Sequence, residues 1–303
     1  MFWTQLSLLG YLIICLVGWM LYKRFFSEKP REGFTQQKPY LLKQGPTTYD
    51  AFYSEIYDEL YQPQKYSEFD LLKIIHLTSP SVQKSLFLDI GSGTGSTLQQ
   101  LHSFGYKASG IDLSEAMVAY SNKKYSLETR VGDVVADPML YETHTFSHIL
   151  CTHYTIYEFS VEEKKTLLSY CFHWLKPGGY MILHLVDRDQ FKTIIPSAQE
   201  QYGGDKKRVL ETTIKYSTFS FRNVFRFPSA TNEVVHSEKF TDHTSDKVRE
   251  NERTLWMEPK SDILNMATSI GFRFKQEIDY GDSFRKDPHE YLVVLEKPLC
   301  GDN

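Results

Sequence analysis

The stretch LFLDIGSGTGSTLQQLHSFGYKASGIDLS, Leu86 to Ser114, decides the fold. An apolar run ends at Asp89, glycines follow at Gly91, Gly93 and Gly95, a short amphipathic segment comes next, and a second apolar run ends at Asp112. The order is strand, glycine turn, helix, strand, acid. Glycines in such a turn admit backbone conformations closed to other residues and let a ligand approach without meeting a Cβ. An acid at the tip of the second strand suits a ribose, whose two hydroxyls both seek an acceptor. The unit is therefore built for an adenosine cofactor.

A dinucleotide fingerprint needs G-x-G-x-x-G, and Ser96 stands where its third glycine should be, which disfavours a nicotinamide dehydrogenase. No G-x-x-x-x-G-K-S/T phosphate loop occurs, so nothing supports a nucleotide triphosphatase. Asp89-Ile90-Gly91-Ser92-Gly93-Thr94-Gly95 reads D-x-G-x-G-x-G, which resembles the first motif of class I S-adenosylmethionine-dependent methyltransferases.

Around this unit strands and helices alternate, which predicts a parallel sheet covered on both faces. The expected strands are Leu86 to Ile90, Ala108 to Ile111, Thr129 to Val131, Phe146 to Cys151 and Tyr180 to Val186. Ser114 is placed to cap the helix EAMVAYSNKK, and Val161 to Trp174 forms a long helix. Leu175-Lys176-Pro177-Gly178-Gly179 then turns into the fifth strand and resembles the turn found there in class I methyltransferases. From Glu211 to Met257, β-favouring stretches separated by polar turns predict a small antiparallel insertion. Ser261 is expected to cap a last helix that stops at Gly271, before closing strands at Phe272 to Ile278 and Tyr291 to Leu295. The expected class is α/β: a Rossmann-like seven-stranded, mostly parallel sheet with helices on both faces, the β insertion at about 205–258, and one N-terminal transmembrane helix.

The resemblance assigns a cofactor, S-adenosyl-L-methionine, and residues to hold it. Gly91, Ser92, Gly93 and Gly95 line its methionine and ribose portion, Asp112 takes the ribose hydroxyls, Leu113 packs on adenine, and Asp133 with Val134 meets the adenine amino edge. Asp89 is placed near the cofactor's amino group, where a carboxylate suits an adjacent ammonium and sulfonium. Tyr49, Tyr53, Tyr57 and Tyr61 recur every four residues in TTYDAFYSEIYDELY, one stripe of a helix. Related enzymes often begin with a similar segment that closes over the cofactor, and Tyr49 and Tyr57 are its expected contacts.

Cys151 to Glu158 follows the fourth strand, and ligands of open α/β sheets bind outside the carboxyl ends of strands. This segment is expected to face the transferring methyl, with Cys151 against the cofactor. His153 is the candidate general base, because its ordinary pKa lies near neutrality. Tyr154 and Tyr157 are candidates to shape the pocket or support a cation through their rings. His184 and Asp187 are further candidates. His144, His148 and His153 are spaced across a loop and a strand with no completing acid, so no metal site is expected.

Phe2 to Tyr22 is almost continuously apolar and uncharged, about the length that crosses ~30 Å of hydrocarbon as a helix. Basic residues and a small-residue cleavage site, the marks of a signal peptide, are missing from it. Lys23, Arg24, Lys29 and Arg31 follow it, which places the remainder in the cytosol. The expected organisation is an anchor at 1–24, a linker at 25–46 rich in Lys, Gln, Pro and Gly, and a methyltransferase domain at 47–300. Cys15, Cys151, Cys171 and Cys300 are scattered, as free thiols of a reducing compartment are. A net charge of −4 without a basic stripe argues against nucleic acid as partner. The reading that follows is a single-pass membrane methyltransferase acting on a small-molecule or lipid-like acceptor. Its alternative is a catalytically silent, membrane-tethered scaffold or binding protein of the same fold.

Overall fold

A computed structural model describes residues 10–11, 15–20, 34–203, 208–282, 288–299 and 301. Residues 1–35 form one unit and residues 36–303 another. Most of the expected membrane span and its basic flank lie outside the described residues, and among the described residues no helix is long and apolar enough to cross a membrane.

The second unit contains two sheets. Its strands are β1 (Tyr40–Gln44), β2 (Leu86–Ile90), β3 (Lys107–Asp112), β4 (Thr129–Val131), β5 (Phe146–Cys151), β6 (Leu175–Val186), β7 (Glu211–Lys215), β8 (Phe219–Arg226), β9 (Glu233–Asp242), β10 (Val248–Trp256), β11 (Arg273–Asp279) and β12 (Glu290–Glu296). Its helices are α1 (Ala51–Tyr61), α2 (Pro63–Thr78), α3 (Ser96–Ser103), α4 (Glu115–Tyr125), α5 (Val161–Trp174), α6 (Gln199–Tyr202) and α7 (Lys260–Ile270).

The main sheet has seven strands in the order β4-β3-β2-β5-β6-β12-β11. From β4 to β6 the neighbours are parallel, and β12 runs antiparallel to both β6 and β11. Successive residues of the central strands enter opposite cores, as a sheet covered on both faces requires. Leu88, Ile149 and Met181 pack with Leu167, Trp174 and Ile263 from α5 and α7. Phe87, Leu150 and Ile182 pack with Leu71, Ile74 and Leu101 from α2 and α3. The chain leaves β2 toward β3 on one side, while β5 pairs on the other, so a crevice opens above the carboxyl ends of β2 and β5.

The expected insertion is an antiparallel meander of β7 to β10, but its sheet has five strands in the order β1-β10-β9-β8-β7. The added strand, β1, comes from the stretch read as linker and pairs parallel with β10. It is short, lies at the sheet edge and alternates between exposed and half-buried positions, a pattern too weak to separate from a polar linker. The last helix also begins differently: Pro259 is its N-cap, and Ser261 sits inside the first turn without capping it. Proline suits the start of a helix because the first N–H groups have no partner there. Gly271 ends it as expected, with φ +121°.

Candidate active site

Above β2 the chain passes through Gly91, Gly93 and Gly95 at φ +67°, +52° and +83°. The glycines serve different ends. A Cβ on Gly91 would lie 2.5 Å from Thr155 Cγ2, in the loop after β5. Gly93 has open space at its Cβ position, with only the Gly91 carbonyl oxygen within 4 Å, at 3.9 Å. At Gly95, which precedes α3, a Cβ would run into the Ser121 hydroxyl and Leu127, so this glycine serves packing against α4. Asp112 ends β3 and fixes the turn: Gly93 N–H donates to Oδ2 and Ser114 N–H to Oδ1, both at 2.8 Å. Burial raises the Asp112 pKa, and these two hydrogen bonds oppose the rise.

A cavity of about 480 Å³ lies over this turn, within the ~300–1,000 Å³ of small-molecule sites. It is lined by Gly91, Gly93, Asp112, Leu113, Asp133 and Val134 from the sheet side, and by Tyr49, Tyr57, His153 and Tyr154 from the far side. Asp133 also accepts the Val135 N–H at 3.0 Å, so its carboxylate both shapes a turn and borders the cavity. Helix α1 closes over the turn: Asp58 accepts the Thr94 hydroxyl at 2.6 Å and pairs with Lys124, and the Ser114 hydroxyl donates to the Tyr49 carbonyl. Tyr49 itself precedes the helix, whose N-cap is Asp50.

Five residues assigned from the sequence do not line the cavity. Gly95 is one of them. Cys151 is fully buried in the core, and burial pushes its thiol pKa far up. Tyr157 is also fully buried, and its hydroxyl accepts the Val186 N–H at 2.8 Å, a role within the core. Alternation along β5 and the turn after it sends these two side chains inward. Asp89 and Ser92 lie beneath the turn, both buried. The Ser92 hydroxyl has no partner, and no hydrogen bond reaches the Asp89 carboxyl among the described residues.

Burial, reinforced by Asp112, raises the Asp89 pKa from 3.8 to about 8. The folded protein therefore takes up a proton that the unfolded chain does not hold between these values. Its contribution to stability is complete below pH 4 and is lost as pH rises through about 8, at up to ~1.4 kcal/mol per pH unit. An Asp89→Asn variant is expected to show a shallower fall in stability between about pH 5 and pH 8 in urea unfolding. Parallel wild-type and variant profiles would remove this assignment.

Beyond β5, His153 and Tyr154 both adopt left-handed conformations, at φ +52° and +68°. Such strain in a non-glycine pair persists only where the surroundings impose it, often at functional loops. The next residues, Thr155–Glu158, form a single 3₁₀ turn. His153 Nε2 lies 3.3 Å from Ser67 Oγ. His148 is a core residue stacked on Phe87 at 4.4 Å, with its pKa lowered to about 4 by burial. His184 Nε2 is 3.2 Å from Glu290 Oε2, both buried, and Asp187 lies 3.8 Å from His289.

A second cavity, of about 120 Å³, shares Tyr49, Tyr57, His153, Tyr154 and Glu158 with the first. Strand β10 serves both: Glu252, Thr254 and Trp256 border the large cavity, while Arg253 and Leu255 border the small one. Arg253 is the hub of a buried network. Its Nη2 donates to Glu238 Oε2 at 2.9 Å, His236 Nδ1 at 2.9 Å and the Tyr53 hydroxyl at 3.2 Å, and its Nη1 to the Tyr49 hydroxyl. Glu238 also accepts the hydroxyls of Tyr53 at 2.7 Å and Tyr61 at 2.6 Å. Burial, then Arg253, holds the His236 pKa well below 6.5, so Nδ1 accepts and Nε2–H donates to Asn223 Oδ1 at 2.6 Å. Glu238 and Arg253 carried no role in the sequence reading, and Glu158 entered it only as the end of the segment expected to face the methyl. For Arg253 the available signal was the alternation of VRENERTLW, which puts Arg249, Asn251, Arg253 and Leu255 on one face, the buried one.

Fold and site together are those of a Rossmann-like α/β protein with a cavity of small-molecule size over the β2 turn. Residues 87–179 match the family model described as Methyltransferase domain. The chain is an S-adenosylmethionine-dependent methyltransferase, and S-adenosylmethionine is its cofactor. No curated protein matches it in sequence. Solved structures share its fold at low identity. A S-adenosylmethionine-dependent methyltransferase from Clostridium acetobutylicum ATCC 824 is 16% identical with a TM-score of 0.62, over 81% of this chain and 98% of that one. The CcbJ methyltransferase from Streptomyces caelestis is 15% identical with a TM-score of 0.65, over 83% and 98%. CalS10, an amino pentose methyltransferase from Micromonospora echinaspora solved with SAM bound, is 16% identical with a TM-score of 0.56, over 77% and 91%.

The residues present fit the cofactor. Unpartnered Asp89 and Ser92 under the turn suit its cationic amino acid end, and the space at Gly93 admits it without a clash. Each Asp112 oxygen retains a lone pair for a ribose hydroxyl after accepting its backbone N–H.

Proposed function

We propose that this methyltransferase acts on a small-molecule or lipid-like acceptor whose reacting end enters the second cavity. One observation carries the reading: the two cavities meet across Tyr49, Tyr57, His153, Tyr154 and Glu158, so a group held in one borders a group held in the other. The cofactor supplies an activated methyl on a sulfonium, and the protein's work is alignment and exclusion of water. In this reading Asp112 and Asp133 hold the adenosine, Asp89 acts on the cationic end from beneath the glycine turn, and α1 closes above them. Phe191, Phe225 and Leu255 give the second cavity an apolar wall, while Tyr49 and Tyr57 border both cavities.

The same reading includes the anchor. The uncharged run Phe2 to Tyr22, followed by basic residues, supports a single-pass protein with its catalytic domain on the cytosolic side of a bilayer. The test is transfer of radiolabelled methyl groups by the full-length protein into host extracts split into lipid and aqueous fractions. Label in a small organic product supports the reading, and label confined to protein or nucleic acid overturns it. Extraction of the full-length protein from membranes by alkaline carbonate would overturn the anchor.

A further inference from the structure

We infer that Glu158 receives the acceptor, and that the acceptor attacks through a neutral amine nitrogen. The inference rests on the proposed methyl transfer between the two cavities and assigns the chemistry of the place where they meet. Of the five residues that border both, Glu158 is the one with a carboxylate. Its Oε1 accepts the Tyr49 hydroxyl at 2.7 Å and lies 3.8 Å from Arg253 Nη1. Its Oε2 makes no hydrogen bond among the described residues, so one oxygen is held and the other is available. Tyr49, in turn, is fixed between Glu158 and Arg253.

The charges nearby leave this carboxylate as the dominant one at the junction. Arg253 is answered by Glu238 at 2.9 Å, and His184 lies against Glu290 at 3.2 Å. Burial and Arg253 keep His236 neutral. Lys192 borders the second cavity but not the first. The other walls of the junction include the rings of Tyr49, Tyr57 and Tyr154, whose faces favour positive charge.

Positive charge is what an amine acquires in this reaction. The nitrogen lone pair forms the N–C bond as the S–C bond breaks, and the electron pair of that bond stays on sulfur. The charge passes from sulfur to nitrogen, and the surplus proton leaves the ammonium product for water afterwards. A carboxylate beside the nitrogen accepts an N–H hydrogen bond, which aims the lone pair, and its attraction grows as the charge arrives. That interaction is stronger in the transition state than in the ground state, the condition for accelerating a reaction. A carboxylate or phosphate acceptor would face repulsion from Glu158.

Sinefungin tests this without knowledge of the acceptor, because it carries a protonated amine on carbon where the cofactor carries its methyl on sulfur. The full-length wild-type protein is expected to bind sinefungin about tenfold more tightly than S-adenosylhomocysteine near neutral pH, by calorimetric titration. Glu158→Gln, which keeps an acceptor for Tyr49, should abolish that preference and leave S-adenosylhomocysteine affinity within about twofold. Glu158→Asp, which keeps the charge, should retain part of the preference and covers the case of a misfolded amide variant. A preference that survives in Glu158→Gln overturns the inference. Failure of the wild type to bind S-adenosylhomocysteine would instead overturn the methyl-transfer reading beneath it.

Discussion

Asp112→Ala is expected to weaken S-adenosylhomocysteine binding by roughly two orders of magnitude or more, each charge-assisted hydrogen bond contributing about 1.5–3 kcal/mol. The loss has two sources. One is direct, since the Asp112 oxygens are the acceptors proposed for the two ribose hydroxyls. The other acts through the backbone, because the same oxygens receive the Gly93 and Ser114 N–H groups at 2.8 Å. Removing the carboxylate frees the glycine turn and strips the start of α4 of a tether at Ser114, whose hydroxyl caps that helix at Met117 N–H. Asp112→Asn retains one good acceptor and the shape of the side chain, so its loss should be nearer tenfold, a single charge-assisted bond. Calorimetric titration of the wild type and both variants decides the matter. Affinity of Asp112→Ala within about threefold of wild type would remove Asp112 from the cofactor site.

The unit that carries this prediction was legible because its physics is local. Positive φ at Gly91, Gly93 and Gly95 is a property of residue type and turn, and Asp112 sits at the tip of the strand that follows in sequence. Apolar runs long enough to be buried on both faces likewise announced the central strands. The residues around the junction were less accessible to such reading. Glu158 ends a 3₁₀ turn whose direction depends on two left-handed residues, His153 and Tyr154, that no propensity favours. Cys151 and Tyr157 stand in the right segment, but their orientation depends on how β5 and that turn meet the core. Strand β1 is defined by its pairing with β10, in which Tyr40 sits opposite Val248, and nothing within Tyr40–Gln44 demands it. The partners of Arg253 come from α1, β9 and the β5 loop, so only the folded chain assembles them.

That assembly makes Arg253 the position where one substitution should cost the most stability. Arg253→Met keeps much of the apolar volume and removes the charge, which leaves Glu238 fully buried with two tyrosine hydroxyls and no cation. Breaking a buried pair by removing one partner typically costs about 3–5 kcal/mol, because the remaining charge is stranded. The fold holds Glu238 in place by strand β9 and cannot carry it to water. Protonation is the remaining relief, so the deficit should shrink as pH falls. A second cause acts in the same direction: without Arg253, His236 loses one of the two influences that keep it neutral and can take a proton beside Glu238 at low pH. The double variant Arg253→Met with Glu238→Gln removes the stranded charge and should recover more than half of the loss, as replacement of whole buried pairs does. Urea unfolding of the three proteins at about pH 5 and about pH 8, on either side of the ordinary pKa of histidine, measures each step. If the double variant is no more stable than Arg253→Met, the stabilisation lies in Arg253's contacts with Tyr49 and Tyr53, and the pair with Glu238 contributes little.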